Sequence, residues 1–485
     1  MNNKYSLSAE IIQSLKAGIV ITCSFILGCS THGQIRSKVK IEEPPELNAR
    51  FKGANVIMVS LDALQAGHVH ALGYPKDVTP VIDRLMRENY NFTNAVSVSS
   101  WTVPASMSWF TGVLPSQHKV VNKFSFYDPP RQIPSRLKEL SPNLITLAEI
   151  LKEQGYATAA FTGGAGVSGI FGFNRGFDRY VDDVKFGSME YTVPKALQWL
   201  KDNKDKKFFL FLHGYDVHGQ CEPSEGFDYR YVSRGYDGTY TGSKKEQEAL
   251  REEGLTNGKV ELRQEDVDFW RAVYDEKINR LDRKLGEFLR EVDDLGLMRN
   301  TILCVTSDHG TEVYEHQRFD HGFSLYEELI HVPLLIKVPA GGRGRQIGDQ
   351  VSSIDIMPTI LELLQIELSP VLRSQLRGIS LVEAMRARTV SREVYSETDY
   401  RRYTYKRALR TSDGWKFIYT LESGEKELYN LRNDPGERNN LAEKEARLAY
   451  ELEQRLFAYF KSMGRDLSGN WETGCYPVYD SQAPR

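Results

Sequence analysis

The run Val56-Ile57-Met58-Val59-Ser60-Leu61 ends in Asp62, and the run Ile302-Leu303-Cys304-Val305-Thr306 ends in Ser307-Asp308-His309-Gly310. Apolar runs this short, bounded by polar residues, read as strands buried on both faces. Runs at 157–161, 208–212 and 332–337 read the same way. Helical spacing recurs between them, over 80–89, 144–154 and 265–295, the last two closed by Gly155 and Gly296. Buried strands alternating with helices predict an α/β fold, a mostly parallel sheet flanked by helices. In open sheets of this kind ligands bind beyond the C-terminal ends of the strands. A lone Asp after a strand is usually a helix N-cap, which is the plain reading of Asp62 by itself. The second strand end, with Asp308 joined to His309 on a turn that Gly310 permits, favours a metal site built from Asp62, Asp308 and His309.

Three further segments carry polar groups suited to chemistry. In Ser100-Trp101-Thr102-Val103-Pro104-Ala105-Ser106, Pro104 belongs in a first helical turn, which sets Thr102 at or next to an N-cap. Thr102 then either caps the helix or turns its hydroxyl to an anion held by the helix N-terminus. A divalent ion nearby lowers the pKa of such a hydroxyl and makes it a nucleophile. The strand over 208–212 leads into His213-Gly214-Tyr215-Asp216-Val217-His218-Gly219, and His321 stands in Phe319-Asp320-His321-Gly322. A lone histidine is more often a packed residue, but histidines past strand ends and in Gly-flanked loops suit oxyanion contacts and general acid work.

Composition bounds the rest. The 485 residues are 41% hydrophobic and 26% charged, which excludes disorder, collagen and a polytopic membrane protein. A net charge of -3 leaves no electrostatic footprint for nucleic acid, so no nucleic-acid partner is expected. Five cysteines exclude a disulfide-dense scaffold; Cys304 reads as core, and whether Cys221 pairs with Cys475 is left open. Lys4 and Lys16 precede an apolar run over 17–27, too short to span a bilayer and suited to a signal sequence. It ends Ile26-Leu27-Gly28-Cys29-Ser30, which resembles a bacterial lipoprotein box; an ordinary signal peptide or an uncut anchor is the plainer alternative. The expected organisation is a signal peptide over 1–28, a polar tether over 29–50, a catalytic α/β domain over 51–388, a C-terminal subdomain over 389–464 and a tail over 465–485. Residues 219–264, charged and Gly-rich, read as an insertion over the sheet edge. The expected location is the bacterial cell envelope, lipid-anchored on its periplasmic or extracellular face.

Taken in order, the segments resemble the sulfatase family of the alkaline phosphatase superfamily. The likeness also takes in Gly112, Pro115 and His118, Leu325-Tyr326-Glu327-Glu328 after His321-Gly322, and Asp355-Ile356-Met357-Pro358-Thr359. Its C-terminal part is Glu427-Leu428-Tyr429-Asn430-Leu431, Asn433-Asp434-Pro435-Gly436-Glu437 and Asn439-Asn440-Leu441. The resemblance implies an alkaline-phosphatase/sulfatase-like sheet with a smaller C-terminal α+β subdomain. It implies Asp62, Asp308 and His309 as metal ligands, and Thr102 as both nucleophile and metal ligand. It makes His218 a histidine contacting the substrate anion, and likens His321 to one beside the transferred group in the related phosphoethanolamine transferases.

The departures from the family pattern shape the chemistry. Sulfatases carry Cys or Ser at the nucleophile position and convert it to formylglycine; the methyl of Thr102 prevents an aldehyde. The motif's arginine is Ser106, the second aspartate is Ala63, and the metal-binding asparagine is His309. Fewer carboxylates and one imidazole favour Zn²⁺ or Mn²⁺, with Mg²⁺ or Ca²⁺ less suited. The expected enzyme is a metal-dependent hydrolase or transferase acting on sulfate or phosphate esters through Thr102, with His218 or His321 protonating the leaving group. The alternatives are a formylglycine-independent sulfuric ester hydrolase and a catalytically inactive binding protein on the same scaffold. Expected substrates are a sulfated or phosphorylated envelope glycan, a lipid headgroup or a small ester. Tyr215, Asp216, Arg401 and Arg402 are candidates to line the cleft, and Lys123 reads as a surface lysine.

Overall fold

A computed structural model describes residues 47, 51–121, 140–219, 222–223, 226–339, 341, 344–400 and 403–468. Its strands are β1 (Asn55–Leu61), β2 (Tyr90–Val96), β3 (Ala157–Phe161), β4 (Arg179–Val181), β5 (Phe208–Gly214), β6 (Thr301–Thr306), β7 (Glu312–Val313), β8 (Phe319–Asp320), β9 (His331–Lys337), β10 (Arg345–Ile347), β11 (Val351–Ser352), β12 (Val394–Tyr400), β13 (Thr404–Arg410), β14 (Trp415–Thr420) and β15 (Lys426–Asn430). The large sheet has the order β10-β2-β9-β6-β1-β5-β3-β4, with β11 also on β2. Its pairings are parallel except those of β9, which runs antiparallel to both β2 and β6.

The apolar runs are unbroken because both faces of the sheet are covered. Val56 and Met58 of β1, with Phe209 and Phe211 of β5, face a core that includes Val103 and Met107 of the helix α2 (Thr102–Thr111). Ile57, Val59 and Leu61, with Leu210 and Leu212, face the opposite core, closed by Ile278, Leu281, Leu285 and Phe288 of the 31-residue helix Gln264–Asp294. Alternate residues of one strand thus enter two different cores, as the period of a strand requires.

Local chemistry sets the other boundaries. The helix expected over 144–154 begins later, at Leu147–Glu153, because Thr146 accepts from the Glu149 N–H while Glu149 accepts from that of Thr146. The segment over 219–264 contains the helix Lys244–Asn257, started by the same device at Ser243 and Glu246. Its Arg251 reaches Asp320 on β8 at 3.1 Å, so this helix packs on the β7–β8 hairpin near the site.

The strands β12–β15 form a separate antiparallel sheet. One face packs on the helix Ala446–Ser462 through Phe417, Leu428, Leu452 and Leu456. The other packs on the large domain, where Val394, Ala408 and Ile418 meet Val96, Leu325, Leu329 and Ile330. The Lys416 ammonium crosses this interface with no side-chain exposure, 3.1 Å from Glu327 Oε1 and 2.9 Å from Glu437 Oε1. Removing one partner of a buried ion cluster leaves the other charges uncompensated. Lys416→Met is therefore expected to destabilise the protein by about 3–5 kcal/mol, measured by urea unfolding at neutral pH.

Candidate active site

The register of two strands brings the carboxylates together. Ser60 of β1 pairs with Thr306 of β6, so Asp62 and Asp308 each lie two residues beyond a matched pair. Both are fully buried. The turn after Asp62 places Ala63 in the left-handed region at φ 63°, and its N–H reaches Asp308 Oδ1 at 3.3 Å. Gly310 is required where it stands: a Cβ there meets the Glu328 carbonyl oxygen at 1.9 Å.

His309 completes the set. Its Nδ1 lies 2.6 Å from the Gly310 carbonyl, which can only accept, so Nδ1 carries the proton. Burial lowers the pKa of His309, keeping the imidazole neutral. The Nε2 lone pair then faces Thr102 Oγ1 at 3.2 Å, Asp308 Oδ2 at 3.6 Å and Asp62 Oδ1 at 3.9 Å. Ligand atoms around a tetrahedral ion with bonds of about 2.0–2.1 Å stand about 3.3 Å apart. The observed separations match that spacing, and a histidine that donates its other N–H to a carbonyl is oriented as metal-binding histidines are. Asp62, Asp308, His309 and Thr102 therefore fit a divalent cation.

Thr102 is the first residue of α2, whose N-cap is Trp101 without a side-chain cap. Its hydroxyl does not cap the helix; it turns to His309 instead. The end of α2 leaves backbone N–H groups without intrahelical acceptors, which suits an anion. Thr102 also packs against Gly166, where an added Cβ stands 3.0 Å from its Cβ and Cγ2. Ser106, one helical turn on, has its Oγ 3.5 Å from Asp308 Oδ2.

The structure adds His213, on β5 beside Ser60, which the sequence reading left out of the ligand and catalytic set. Its Nδ1 accepts from the Gly163 N–H at 3.4 Å, so Nε2 carries the proton and lies 3.1 Å from Asp62 Oδ2. Burial pushes His213 down to about 4, so it serves as a neutral donor to Asp62. The sequence signal was a histidine at a strand end, but within the strand it reads as core.

His218 and His321 come together beside His309. Their ring centroids are 4.7 Å apart, and His321 stands 4.2 Å from His309. His321 Nδ1 is 2.6 Å from Asp320 Oδ1. Against the upward pull of burial, His321, Arg251 and His218 hold Asp320 well below the usual carboxylate range. Tyr215 packs edge-on against His213 and His218, and its hydroxyl is taken up by the Gly166 N–H and the Gly164 carbonyl. Asp216 accepts from the Met189 N–H at 2.9 Å. Lys123, Cys221, Arg401, Arg402 and Cys475 lie outside the described residues. Cys304 is a buried thiol that burial pushes up to about 12.

Taken with the family and relatives that follow, the fold and the donor set are those of an ester hydrolase of the sulfatase type, with a group of metal-ligand type at its centre. Residues 54–366 match the sulfatase family, and residues 314–462 match the family described as N-sulphoglucosamine sulphohydrolase, C-terminal. The chain belongs to the sulfatase family, whose members are metal-dependent. It is 26% identical to the arylsulfatase K of Mus musculus over 83% of this chain and 78% of that protein. It is 22% identical to an arylsulfatase of Clostridium perfringens over 86% and 95% of the two chains. Among solved structures, the 2-O GAG sulfatase BT1596 superposes with a TM-score of 0.67 at 20% identity, covering 85% of this chain and 92% of that one. The phosphonate monoester hydrolase of Agrobacterium radiobacter superposes with a TM-score of 0.66 at 18% identity, covering 84% and 96%.

Because His213 holds Asp62 in place, its loss should be felt in metal affinity before it is felt in the fold. His213→Gln is expected to bind Zn²⁺ or Mn²⁺ about 10–100-fold more weakly, measured by competition against a chelating dye.

Proposed function

We propose that this sulfatase-family chain is a metal-dependent hydrolase or transferase that attacks phosphate esters through Thr102. The observation that carries the reading is the Thr102 hydroxyl, 3.2 Å from the His309 lone pair at the uncapped start of α2. When bound among Asp62, Thr102, Asp308 and His309, a divalent cation supplies Lewis acidity that lowers the hydroxyl pKa and offsets charge on the ester. The donor set favours Zn²⁺ or Mn²⁺. The Thr102 hydroxyl gives its proton up to solvent, and the Oγ–P bond then forms as the P–O bond to the leaving group breaks, in line. His321 or His218 gives the departing oxygen its proton, with Asp320 positioning His321. N–H groups of α2 lie beneath the anion. Water or an acceptor hydroxyl then attacks phosphorus, giving its proton to that histidine, and the Thr102 oxygen leaves.

Two features favour phosphorus over sulfur. The Thr102 methyl excludes formylglycine, and Ser106 stands where the sulfatase motif has its arginine. A threonyl sulfate without the aldehyde is also harder to release than a threonyl phosphate. The second reading, a formylglycine-independent sulfuric ester hydrolase, is favoured by the likeness to arylsulfatases. The lipoprotein-like stretch at Gly28-Cys29-Ser30 supports a lipid anchor at the bacterial envelope, on its periplasmic or extracellular face. Among the described residues no helix is long and apolar enough to cross a membrane. A sulfated or phosphorylated envelope glycan, a lipid headgroup or a small ester is the substrate class that fits.

The test compares aryl phosphate monoester, aryl phosphodiester and aryl sulfate with the protein loaded with Zn²⁺ or Mn²⁺. Phosphoester turnover is expected to fall more than about 10³-fold in Thr102→Ala and to persist in Thr102→Ser. Sulfate turnover that depends on Thr102 overturns the phosphoryl reading in favour of the sulfuric one. No turnover of any ester, with no metal retained, makes the chain a binding protein on this scaffold.

A further inference from the structure

Beyond the site stands a second group of metal-ligand type that the ester chemistry does not use. A carboxylate oxygen of Glu312, a ring nitrogen of His316 and a carboxylate oxygen of Glu328 lie within 4.8 Å of one another. Glu312 opens β7, three residues after His309, and Glu328 lies in the helix Glu327–Ile330. The two segments are held together at Gly310, whose N–H donates to the Leu329 carbonyl.

Glu312 is fully buried. Its Oε1 accepts from the His316 and Arg318 N–H groups, while its Oε2 has no hydrogen-bond partner among the described residues. His316 Nε2 lies 3.2 Å from the Glu437 carbonyl, so that nitrogen carries the proton. Its Nδ1 lies 2.6 Å from Glu328 Oε1. A ring nitrogen and a carboxylate oxygen at that distance need a proton or a cation between them, and a bound cation would take the proton's place. Burial, and the charges of Glu328 and Glu315, also push Glu312 upward. Lys416, the cation whose charge reaches Glu328, is ion-paired with Glu327 and Glu437. Glu315 is satisfied by Gln65 and the Val313 N–H.

We propose that Glu312, His316 and Glu328 form a second divalent-cation site, structural in role and separate from the one at Asp62, Asp308 and His309. One imidazole and two carboxylates, completed by water, suit Zn²⁺ or Mn²⁺ better than Ca²⁺. The His316 and Glu328 side chains keep 15% and 7% exposure, which opens the site to an ion and a water. Tetrahedral coordination sets ligand atoms about 3.3 Å apart, so His316 and Glu328 separate by less than about 1 Å while Glu312 closes in. The ion ties the start of the β7–β8 hairpin to the helix Glu327–Ile330 and so steadies the turn that carries Asp308 and His309.

The inference does not depend on which ester is cleaved, and its test reads metal, not turnover. The full chain is stripped with a chelator, equilibrated with Zn²⁺ at a low micromolar free concentration, and its zinc content measured by mass spectrometry. Two equivalents are expected in the wild type, and one each in Glu312→Gln, His316→Ala and Asp308→Asn. A wild-type crystal grown with zinc, which needs no variant to fold, is expected to give anomalous peaks at both sets. One equivalent in the wild type that vanishes in Asp308→Asn, two retained in Glu312→Gln, or no anomalous peak between Glu312, His316 and Glu328 overturns the proposal.

Discussion

Two carboxylates with no solvent exposure, Asp62 and Asp308, stand at the ends of adjacent parallel strands. Burying two like charges is costly unless something offsets them. The surroundings of the pair offset that cost in stages. His213 donates to Asp62, and backbone N–H groups of Ala63 and His309 approach Asp308. The donor spacing around the His309 lone pair then leaves room for a divalent ion. The position of α2 follows from the same need, since its uncapped end brings the partial positive charge of a helix N-terminus to this negative site.

The proton positions are fixed by groups that cannot donate or cannot accept. A carbonyl at His309 Nδ1 and an N–H at His213 Nδ1 assign opposite tautomers to two neighbouring neutral imidazoles. One therefore offers a lone pair and the other a hydrogen to the aspartates. Thr102 is held with similar economy: Gly166 approaches its methyl side while its oxygen faces His309.

Much of the fold was legible because apolar runs were buried on both faces. β3 begins and ends where its run does, and β1 and β6 end with theirs but begin one residue earlier, at Asn55 and Thr301. β2 was not legible: Tyr-Asn-Phe-Thr-Asn-Ala-Val mixes polar and apolar residues, and its pairing with β9 shifts register between Phe92 and Ala95. The helix Lys244–Asn257 was missed because a capping box, not an apolar stripe, announces it. Asp62, Asp308 and His309 were legible as strand-end residues, and Thr102 through Pro104. The role of His213 was not, since it stands within a strand, fully buried, where a histidine reads as core. The group at Glu312, His316 and Glu328 was hidden because a hairpin and a short helix bring it together across sequence gaps that match no local period.

The seam between the two lobes has a consequence for how the protein is made. Glu327 and Glu437, whose charges share the buried Lys416 ammonium, come from opposite sides of that seam. The Glu327 N–H in turn donates to Glu437 Oε2. A growing chain therefore carries Asp62, Thr102, Asp308 and His309 long before the residues that neutralise and brace the segment behind them. Synthesis must pass Glu437 before the loop bearing Asp308 and His309 gains its final support. A chain cut short within the small lobe keeps every residue proposed for the chemistry and loses the framework that aligns them.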